Sequence, residues 1–329
     1  MTTLLITGGM GFIGSNFIQY WMSRHPMDRV INLDWLTYAG NEDNVEAVRQ
    51  LSGYRFVHGN ISDGATVRRV FAEEPIEVVV HFAAESHVDR SILNPQAFIQ
   101  TNVLGTQHLL EASRQKNGFR CFVNVSTDEV YGTLGADGLF TESTPLAPNS
   151  PYSASKAGSD LIARAYYETF GLPVLITRCS NNYGPHQHPE KLIPTVITRA
   201  MADQPIPVYG DGMNVRDWLH VEDHCAALAL VIDRGVPGEV YNVGGKNERT
   251  NLHLVRTILT ELGKPESLIH YVPDRLGHDR RYAIDPAKIS RELGWQPQYR
   301  LEDGLKRTVA WYLSHEAWWR KLMQRGGGV

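Results

Sequence analysis

A glycine-rich run near the amino end, Gly8-Gly9-Met10-Gly11-Phe12-Ile13-Gly14, constrains the fold of this chain more than any other feature. It follows an apolar strand pattern at residues 3–7 and precedes a helical pattern near residues 12–24. In that setting the run is typical of a dinucleotide-binding βαβ unit, because glycine lets backbone N–H groups approach a pyrophosphate at the positive end of a helix. A tight turn without a ligand is the alternative.

An acidic residue after the next strand pattern favours the dinucleotide-binding interpretation. Asp34 closes that strand 20 residues after Gly14, where a carboxylate can bind the hydroxyls of an adenosine ribose. The same carboxylate repels a 2′-phosphate, so the sequence predicts NAD rather than NADP as the cofactor.

Strand and helix patterns alternate through the first half of the chain. The strand patterns lie at residues 3–7, 30–33, 55–58, 76–82, 119–125 and 174–177, and the helical ones near 12–24, 63–74, 95–116 and 153–170. Nearly continuous apolar strands need cover on both faces of a sheet. The predicted fold class is therefore α/β, a Rossmann-like doubly wound parallel sheet with a smaller C-terminal substrate-binding lobe.

The pattern changes after about residue 180, where prolines and glycines crowd residues 184–212. Helical patterns near residues 190–203, 221–233, 251–263 and 301–323 are separated there by irregular loops. We predict an NAD-binding domain over residues 1–180 and a lobe over residues 181–325 that mainly binds substrate at the carboxyl edge of the sheet. Residues 326–329 are predicted to be a disordered tail.

Composition excludes several other classes of protein. The 32 Lys and Arg against 36 Asp and Glu give a net charge of −4, which argues against a nucleic-acid binder. The three cysteines are scattered and form no C-x-x-C pair, so neither a disulfide framework nor a zinc knuckle is expected. The longest apolar run, residues 225–232, is far shorter than the roughly 20 residues of a membrane helix. We expect a cytoplasmic protein with no membrane partner.

Tyr152 and Lys156 form a Y-x-x-x-K pair inside a helical pattern, where this spacing puts both side chains on one face. A phenol with a pKa near 10 is a poor base at neutral pH. A nearby ammonium group and a positive nicotinamide ring would both lower that pKa, which would make a usable tyrosinate. The spacing alone is common, and a surface Tyr–Lys pair is the alternative.

Two adjacent acids, Asp128 and Glu129, follow the strand pattern that ends near Ser126-Thr127. They are either a loop with two solvated carboxylates or an acid–base pair at the end of a buried strand. Two carboxyl groups at one site can be held in different protonation states. One proton donor beside one proton acceptor suits an elimination reaction.

Long stretches of the chain resemble one family. These stretches are residues 36–41, 81–91, 126–132, 151–157, 178–185, 189–194, 210–218 and 277–282. In order and content they resemble the nucleotide-sugar 4,6-dehydratases, NAD-dependent lyases of the extended short-chain dehydrogenase/reductase superfamily, and among them those that act on dTDP-glucose. The resemblance covers nearly the whole chain and implies a Rossmann fold, a bound NAD and the product dTDP-4-keto-6-deoxyglucose plus water.

The resemblance also implies a role for each catalytic residue. Tyr152 takes the proton of the C4 hydroxyl during oxidation at C4, assisted by Thr127 and Lys156. Glu129 then removes the C5 proton, and a protonated Asp128 donates to the departing C6 hydroxyl. Hydride return to C6 regenerates the cofactor.

The resemblance further implies two sets of binding residues. For NAD they are Gly8, Gly11, Phe12, Ile13, Gly14, Asp34, Thr37, Asn60, Ile61, Ala83, Ala84, Thr101, Tyr152, Lys156 and Asn182. For the sugar nucleotide they are Ser86, Thr127, Asn181, Lys191, Leu192, Pro207, Tyr209, Arg216, Asn251, Arg275 and His278. Taken alone, Arg216 next to Asp217 is equally compatible with a surface ion pair, and residues 278–281 with a solvated charge cluster. No metal is expected, since His186 and His188 have no evident third ligand.

Relatives pair the helices near residues 95–116 and 153–170 across a two-fold axis, so the resemblance implies a homodimer. Three alternatives remain open at this point. The chain could be a 4-epimerase on the same scaffold, a dehydratase for a UDP-, GDP- or CDP-hexose, or a non-catalytic protein that senses NAD.

Overall fold

A computed structural model describes residues 1–274 and 276–326, and in these residues a parallel sheet of seven strands forms the centre of the molecule. In chain order, the strands of this sheet and of two smaller sheets are β1 Thr3–Thr7, β2 Arg29–Asp34, β3 Tyr54–His58, β4 Val78–His81, β5 Cys121–Thr127, β6 Val174–Cys179, β7 Asn181–Tyr183, β8 Ile206–Tyr209, β9 Val215–His220, β10 Val240–Val243, β11 Glu248–Thr250 and β12 Ile269–Val272. The large sheet has the order β10-β6-β5-β4-β1-β2-β3. The predicted doubly wound α/β fold is confirmed.

Helices follow most of these strands. They are α1 Phe12–Arg24, α2 Gly64–Glu73, α3 Val88–Leu93, α4 Pro95–Phe98, α5 Thr106–Arg114, α6 Pro151–Phe170, α7 Leu192–Met201, α8 Val221–Arg234, α9 Asn251–Glu261, α10 Ala287–Leu293, α11 Leu301–Ser314 and α12 Glu316–Gly326. Side chains alternate across the sheet, so that Leu4 and Ile6 belong to an apolar core shared with α1, α8 and α10, whereas Leu5 belongs to a second core shared with α2, α5 and α6. Helices therefore cover both faces, as nearly continuous apolar strands require.

The helix predicted over residues 95–116 contains a wider turn. Between α4 and α5 the segment Ile99–Gly105 is a π-helix. Such segments are rare and occur frequently at functional sites. Here the side chain of Asn102 accepts a bond from the Glu85 N–H at 2.9 Å and donates to the Glu85 carbonyl at 3.0 Å, which ties the segment to the loop after β4.

The helix predicted over residues 301–323 is two helices. α11 ends at Ser314, and His315 leaves the helical conformation before α12 begins at Glu316. Gly326, the first residue of the predicted tail, is the last residue of α12, and residues 327–329 lie outside the described residues.

A smaller lobe lies beyond the large sheet. Its strands form a three-stranded sheet, β11-β9-β7, and the pair β12-β8, packed with α7, α9 and α11 around a separate apolar core. Residues after 180 also contribute to the large sheet and its cover: β10 pairs with β6, and α8 packs on α1. The predicted boundary at residue 180 stays a prediction. Within the described ranges, no helix has the length and apolar character needed to cross a bilayer.

Candidate active site

A cavity of about 330 Å³ opens at the carboxyl ends of β1, β2, β4 and β5, which is the edge where open α/β sheets bind ligands. Every residue predicted to bind NAD lines this cavity. So do Thr127, Glu129, Tyr152 and Lys156 of the predicted catalytic set, and Ser86, Asn181 and Lys191 of the predicted substrate set. The structure thus gathers side chains from both halves of the chain around one space.

The glycine-rich turn shapes one wall of the cavity. Gly8 has φ +73°, and a Cβ atom there would lie 2.6 Å from the backbone nitrogen of Ala83. A Cβ on Gly14 would lie 2.4 Å from the Gly8 carbonyl oxygen. α1 begins after Gly11, which has no side chain to cap the first amides, and Phe12 and Ile13 of that first turn line the cavity. These residues fit a pyrophosphate, since the turn leaves the positive helix end open to an anion.

Replacing Gly8 with Ala is expected to expel the cofactor, because the added methyl group must displace the backbone after β4. Gly118 is the matched control, since it has φ +74° but the structure around it, as described, leaves open space within 4 Å of its Cβ position. NAD bound per chain, measured after gel filtration, should fall for Gly8→Ala and stay near the native value for Gly118→Ala. Equal retention by both variants would remove Gly8 from the cofactor wall.

Asp34 is held rigidly at the end of β2. Its Oδ2 atom accepts a bond from the Met10 N–H at 2.9 Å, and its Oδ1 atom accepts one from the Leu36 N–H at 2.7 Å. Burial raises the pKa of the carboxyl group, and these two N–H groups oppose that rise. The carboxylate therefore faces the cavity in a fixed orientation, as recognition of a ribose diol requires.

Tyr152 and Lys156 lie on the first turns of α6. Ser150 caps this helix in a capping box with Ser153, and Pro151 occupies its first position, so the start of α6 is well defined. The Lys156 Nζ atom donates to the Val125 carbonyl at 2.7 Å. Both side chains are buried and line the cavity, so the surface-pair alternative is wrong.

The electrostatics of this pair differ from the prediction. Burial raises the pKa of Tyr152 well above its ordinary value, the charges of Glu129, Cys179 and Asp128 raise it further, and a hydrogen bond with Thr127 lowers it. Burial also lowers the pKa of Lys156, while the carboxylate of Asp160 one turn further along α6 raises it. The predicted lowering of the Tyr152 pKa therefore does not arise from the protein side chains alone, without the nicotinamide ring.

Asp128 is buried, with 1% of its surface exposed, so the solvated-loop alternative is wrong for this residue. Its Oδ2 atom has no hydrogen-bond partner among the described residues. Burial raises the pKa of this carboxyl well above its ordinary value, the charges of Glu129 and Asp217 raise it further, and that of Arg216 lowers it. These effects favour the protonated form of Asp128, which lies beside the half-buried, cavity-lining Glu129.

Six more of the predicted substrate residues lie in the smaller lobe rather than on the cavity wall. Arg216 is buried on β9 and donates to the carbonyls of Val215 and Asp279, each at 2.8 Å, so it is no surface ion pair. The rings of Tyr209 and His278 lie 6.4 Å apart. The others of this group are Leu192 at the start of α7, Pro207 on β8 and Asn251 at the start of α9.

The alternative of a solvated charge cluster over residues 278–281 holds only in part. The His278 ring is almost fully buried and its Nδ1 atom bonds Asp274 Oδ1 at 2.6 Å, whereas Arg280 is exposed and pairs with Asp211. Arg275, also predicted to contact substrate, lies outside the described residues.

Sequence reasoning missed four titratable residues that line the cavity as described, Glu85, Cys179, His188 and Glu190. Burial raises the pKa of Glu85 and lowers that of His188. Glu85 and Glu190 both lie inside stretches that carried the family resemblance, which is the signal that could have found them. Among residues 1–274 and 276–326, no group of three or more His, Cys, Asp or Glu side chains is placed to hold a metal ion.

An uncapped glycine turn, a fixed acid after β2 and a buried Tyr–Lys pair around one cavity are the arrangement of a short-chain dehydrogenase/reductase enzyme. The family model described as GDP-mannose 4,6 dehydratase matches residues 5–308, and the dTDP-glucose 4,6-dehydratases of Xanthomonas campestris pv. campestris (strain B100) and Streptomyces griseus are 56% and 53% identical to the chain. These alignments cover 97% and 99% of this chain and 95% and 99% of the relatives. The chain belongs to the dTDP-glucose 4,6-dehydratase family, and the predicted resemblance is confirmed.

Solved structures agree with this assignment. The dTDP-glucose 4,6-dehydratase DesIV of Streptomyces venezuelae, crystallised with NAD and TYD bound, superposes with a TM-score of 0.94 at 52% identity, over 98% of this chain and 100% of that one. The UDP-glucose 4-epimerase of Thermus thermophilus, in complex with NAD, superposes with a TM-score of 0.88 at 31% identity, over 95% and 100%. The fold is thus shared with epimerases, while sequence identity is higher with the dehydratase.

Proposed function

We propose that this protein converts dTDP-glucose into dTDP-4-keto-6-deoxyglucose and water with a bound NAD. The observation that carries the proposal is the buried Asp128 carboxyl, whose pKa burial raises, beside Glu129 and next to the Tyr152–Lys156 pair. Epimerisation at C4 needs an oxidation and a reduction at one carbon but no elimination. An acid next to a base suits the removal of water across C5 and C6.

Each residue then has one task. The glycine-rich turn and Asp34 would hold NAD, which would supply a hydride acceptor at C4 and a hydride donor at C6, so each turnover would leave the cofactor unchanged. Tyr152 takes the C4 hydroxyl proton, with Thr127 and Lys156 stabilising the phenolate. Glu129 removes the C5 proton that the C4 ketone makes acidic, Asp128 gives its proton to the C6 hydroxyl, and water leaves. The hydride would go back to C6, and Glu129 returns its proton to C5. Tyr152 then holds the proton of the C4 hydroxyl and Asp128 lacks one, so transfer of one proton from Tyr152 to Asp128 through solvent restores both groups and balances the reaction.

The raised pKa of Tyr152 fits this scheme when all charges near it are counted. Burial and Glu129 favour the neutral phenol. Positive charge has the opposite effect, and both Lys156 and an oxidised nicotinamide carry it. We therefore assign proton removal by Tyr152 to the oxidised holoenzyme.

Mass spectrometry of the products tests the function directly. The purified protein is incubated, without added NAD, with dTDP-glucose and separately with UDP-glucose. Loss of the mass of one water from the dTDP sugar, without net formation of NADH, supports the proposal. Loss from the UDP sugar alone keeps the reaction and changes the substrate. If neither sugar changes after NAD is added, dehydration of these sugars is refuted; isomerisation would favour an epimerase, and NAD binding alone a sensor.

Replacing Arg216 with Ala is expected to weaken binding of the sugar nucleotide, because a guanidinium grips diphosphate oxygens in pairs. Loss of a buried charged contact costs roughly 2–5 kcal/mol, which should appear as a higher KM and a weaker calorimetric affinity for dTDP-glucose. Arg280→Ala is the control, since its exposed ion pair with Asp211 contributes little. Identical affinities for both variants would exclude Arg216 as a diphosphate ligand.

A homodimer forms part of this proposal. Apolar side chains are exposed on three neighbouring helical segments, at Leu93 on α3, Leu104 in the π-helical segment and Leu161 on α6. Exposed apolar side chains on adjacent helices are typical of a protein interface. Sedimentation velocity should give twice the chain mass, and Leu104→Glu with Leu161→Glu should give monomers, whereas Leu51→Glu at another exposed leucine should not. A native monomer would refute this part.

The compartment is the remaining part of the proposal. All three cysteines are buried free thiols, which suits the reducing cytoplasm. Cell fractionation followed by immunoblotting checks this placement, and recovery outside the cytoplasmic fraction would contradict it.

A further inference from the structure

The backbone of Met10, inside the glycine-rich turn, is hydrogen-bonded at both its N–H and its carbonyl. Its N–H donates to Asp34 Oδ2 at 2.9 Å. Its carbonyl accepts two bonds, from the Asn41 N–H at 2.9 Å and from the Asn44 Nδ2 atom at 3.0 Å. The turn that cradles the predicted pyrophosphate and the acid of the predicted ribose site are thus fixed through the backbone of one residue, Met10. The buried Asn44 side chain supplies one of its hydrogen bonds.

The other end of the Asn44 side chain meets the C-terminal helix. The indole Nε1 of Trp318 on α12 donates to Asn44 Oδ1 at 2.9 Å, across 274 positions of sequence. One turn further on, Lys321 pairs with Asp43 at 2.5 Å. The Trp318 ring packs edge-to-face against Trp311 and His186, and burial lowers the pKa of His186 to about 4, so this contact is uncharged at neutral pH.

The two ends of an asparagine amide are chemically different, because the oxygen only accepts and the nitrogen only donates. A donor fixed at Oδ1 therefore sets which way the amide faces. With the indole N–H at one end, the Nδ2 group points to the Met10 carbonyl. Without that N–H, the amide can turn over or bond to water, and the turn loses part of its support.

We infer that Trp318 and Asn44 are positioning residues through which the C-terminal helix sets how long NAD stays bound. The inference rests on the proposed function, since it concerns the same cofactor. Neither side chain lines the cavity as described, so both act through Met10. Their loss should change the release of NAD and leave recognition of the sugar nucleotide alone.

The test uses the holoenzyme loaded with radiolabelled NAD and diluted into an excess of unlabelled NAD. Trp318→Phe keeps the ring and removes only the N–H group, and is expected to release the label roughly fivefold faster, as the loss of one modest hydrogen bond implies. Trp319→Phe is the matched control. The Trp319 Nε1 atom donates to the Tyr312 carbonyl at 3.1 Å, so this substitution removes a similar hydrogen bond of the same helix. The KM for dTDP-glucose at saturating NAD should be unchanged in both.

A double variant separates a path through Asn44 from a general loosening of α12. Asn44→Ala should release NAD at least as fast as Trp318→Phe, and the two changes together should release it no faster than Asn44→Ala alone. Additive effects, or equal release by the Trp318 and Trp319 variants, would overturn the inference. If the native protein binds no NAD, the proposed function fails and this inference falls with it. Native binding with unchanged release in Trp318→Phe refutes the inference alone.

Discussion

Replacing Glu129 with Gln should stop the reaction after oxidation at C4 and leave the enzyme in its reduced form. The amide keeps the size of the side chain but cannot take the C5 proton, so water is not eliminated. A missing general base lowers turnover by about 10²–10⁴-fold. We therefore expect the near-ultraviolet absorbance of reduced nicotinamide to build up when dTDP-glucose is mixed with this variant in a stopped-flow instrument.

The control for this variant is Glu266→Gln, which removes one carboxylate from an exposed ion pair with Arg256 and should behave like the native enzyme. Persistent turnover without build-up of the absorbance would show that Glu129 is not the base. Hydrogen exchange at C5 in deuterated water gives a second readout, since the variant should incorporate little deuterium into recovered substrate.

Local sequence was sufficient where function depends on consecutive residues of one turn or helix. Three glycines of the run, Asp34 and the Tyr152–Lys156 pair all line the cavity, because strand–turn–helix geometry and the i, i+4 spacing fix their positions locally. The family resemblance added positions that no local pattern indicates, such as Thr101.

Long-range packing decided what the sequence could not reveal. Asp128 is buried, and the charges of Asp217 and Arg216, almost 90 positions further along the chain, act on its carboxyl group, which no local pattern reveals. The π-helical turn before α5 depended on Asn102 bonding the loop after β4. The bond from Trp318 to Asn44 joins residues that no motif connects.

Replacing Tyr152 with Phe should block the first step and so give the opposite spectroscopic result to Glu129→Gln. The change removes only the phenolic oxygen and keeps the ring that packs edge-to-face on Phe98. Without that oxygen the C4 hydroxyl keeps its proton, no hydride leaves, and turnover should fall by about 10²–10⁴-fold without any absorbance from reduced nicotinamide.

Tyr166→Phe is the matched control on the same helix, since its hydroxyl bonds only Gln107 and Glu111 among the described residues, away from the cavity. The order of the two steps then predicts the double variant. Glu129→Gln with Tyr152→Phe should match Tyr152→Phe alone and show no absorbance, because a blocked oxidation leaves nothing for Glu129 to act on. Reduced nicotinamide in the double variant would mean that another group takes the C4 hydroxyl proton, and Tyr152 would lose its role as the base.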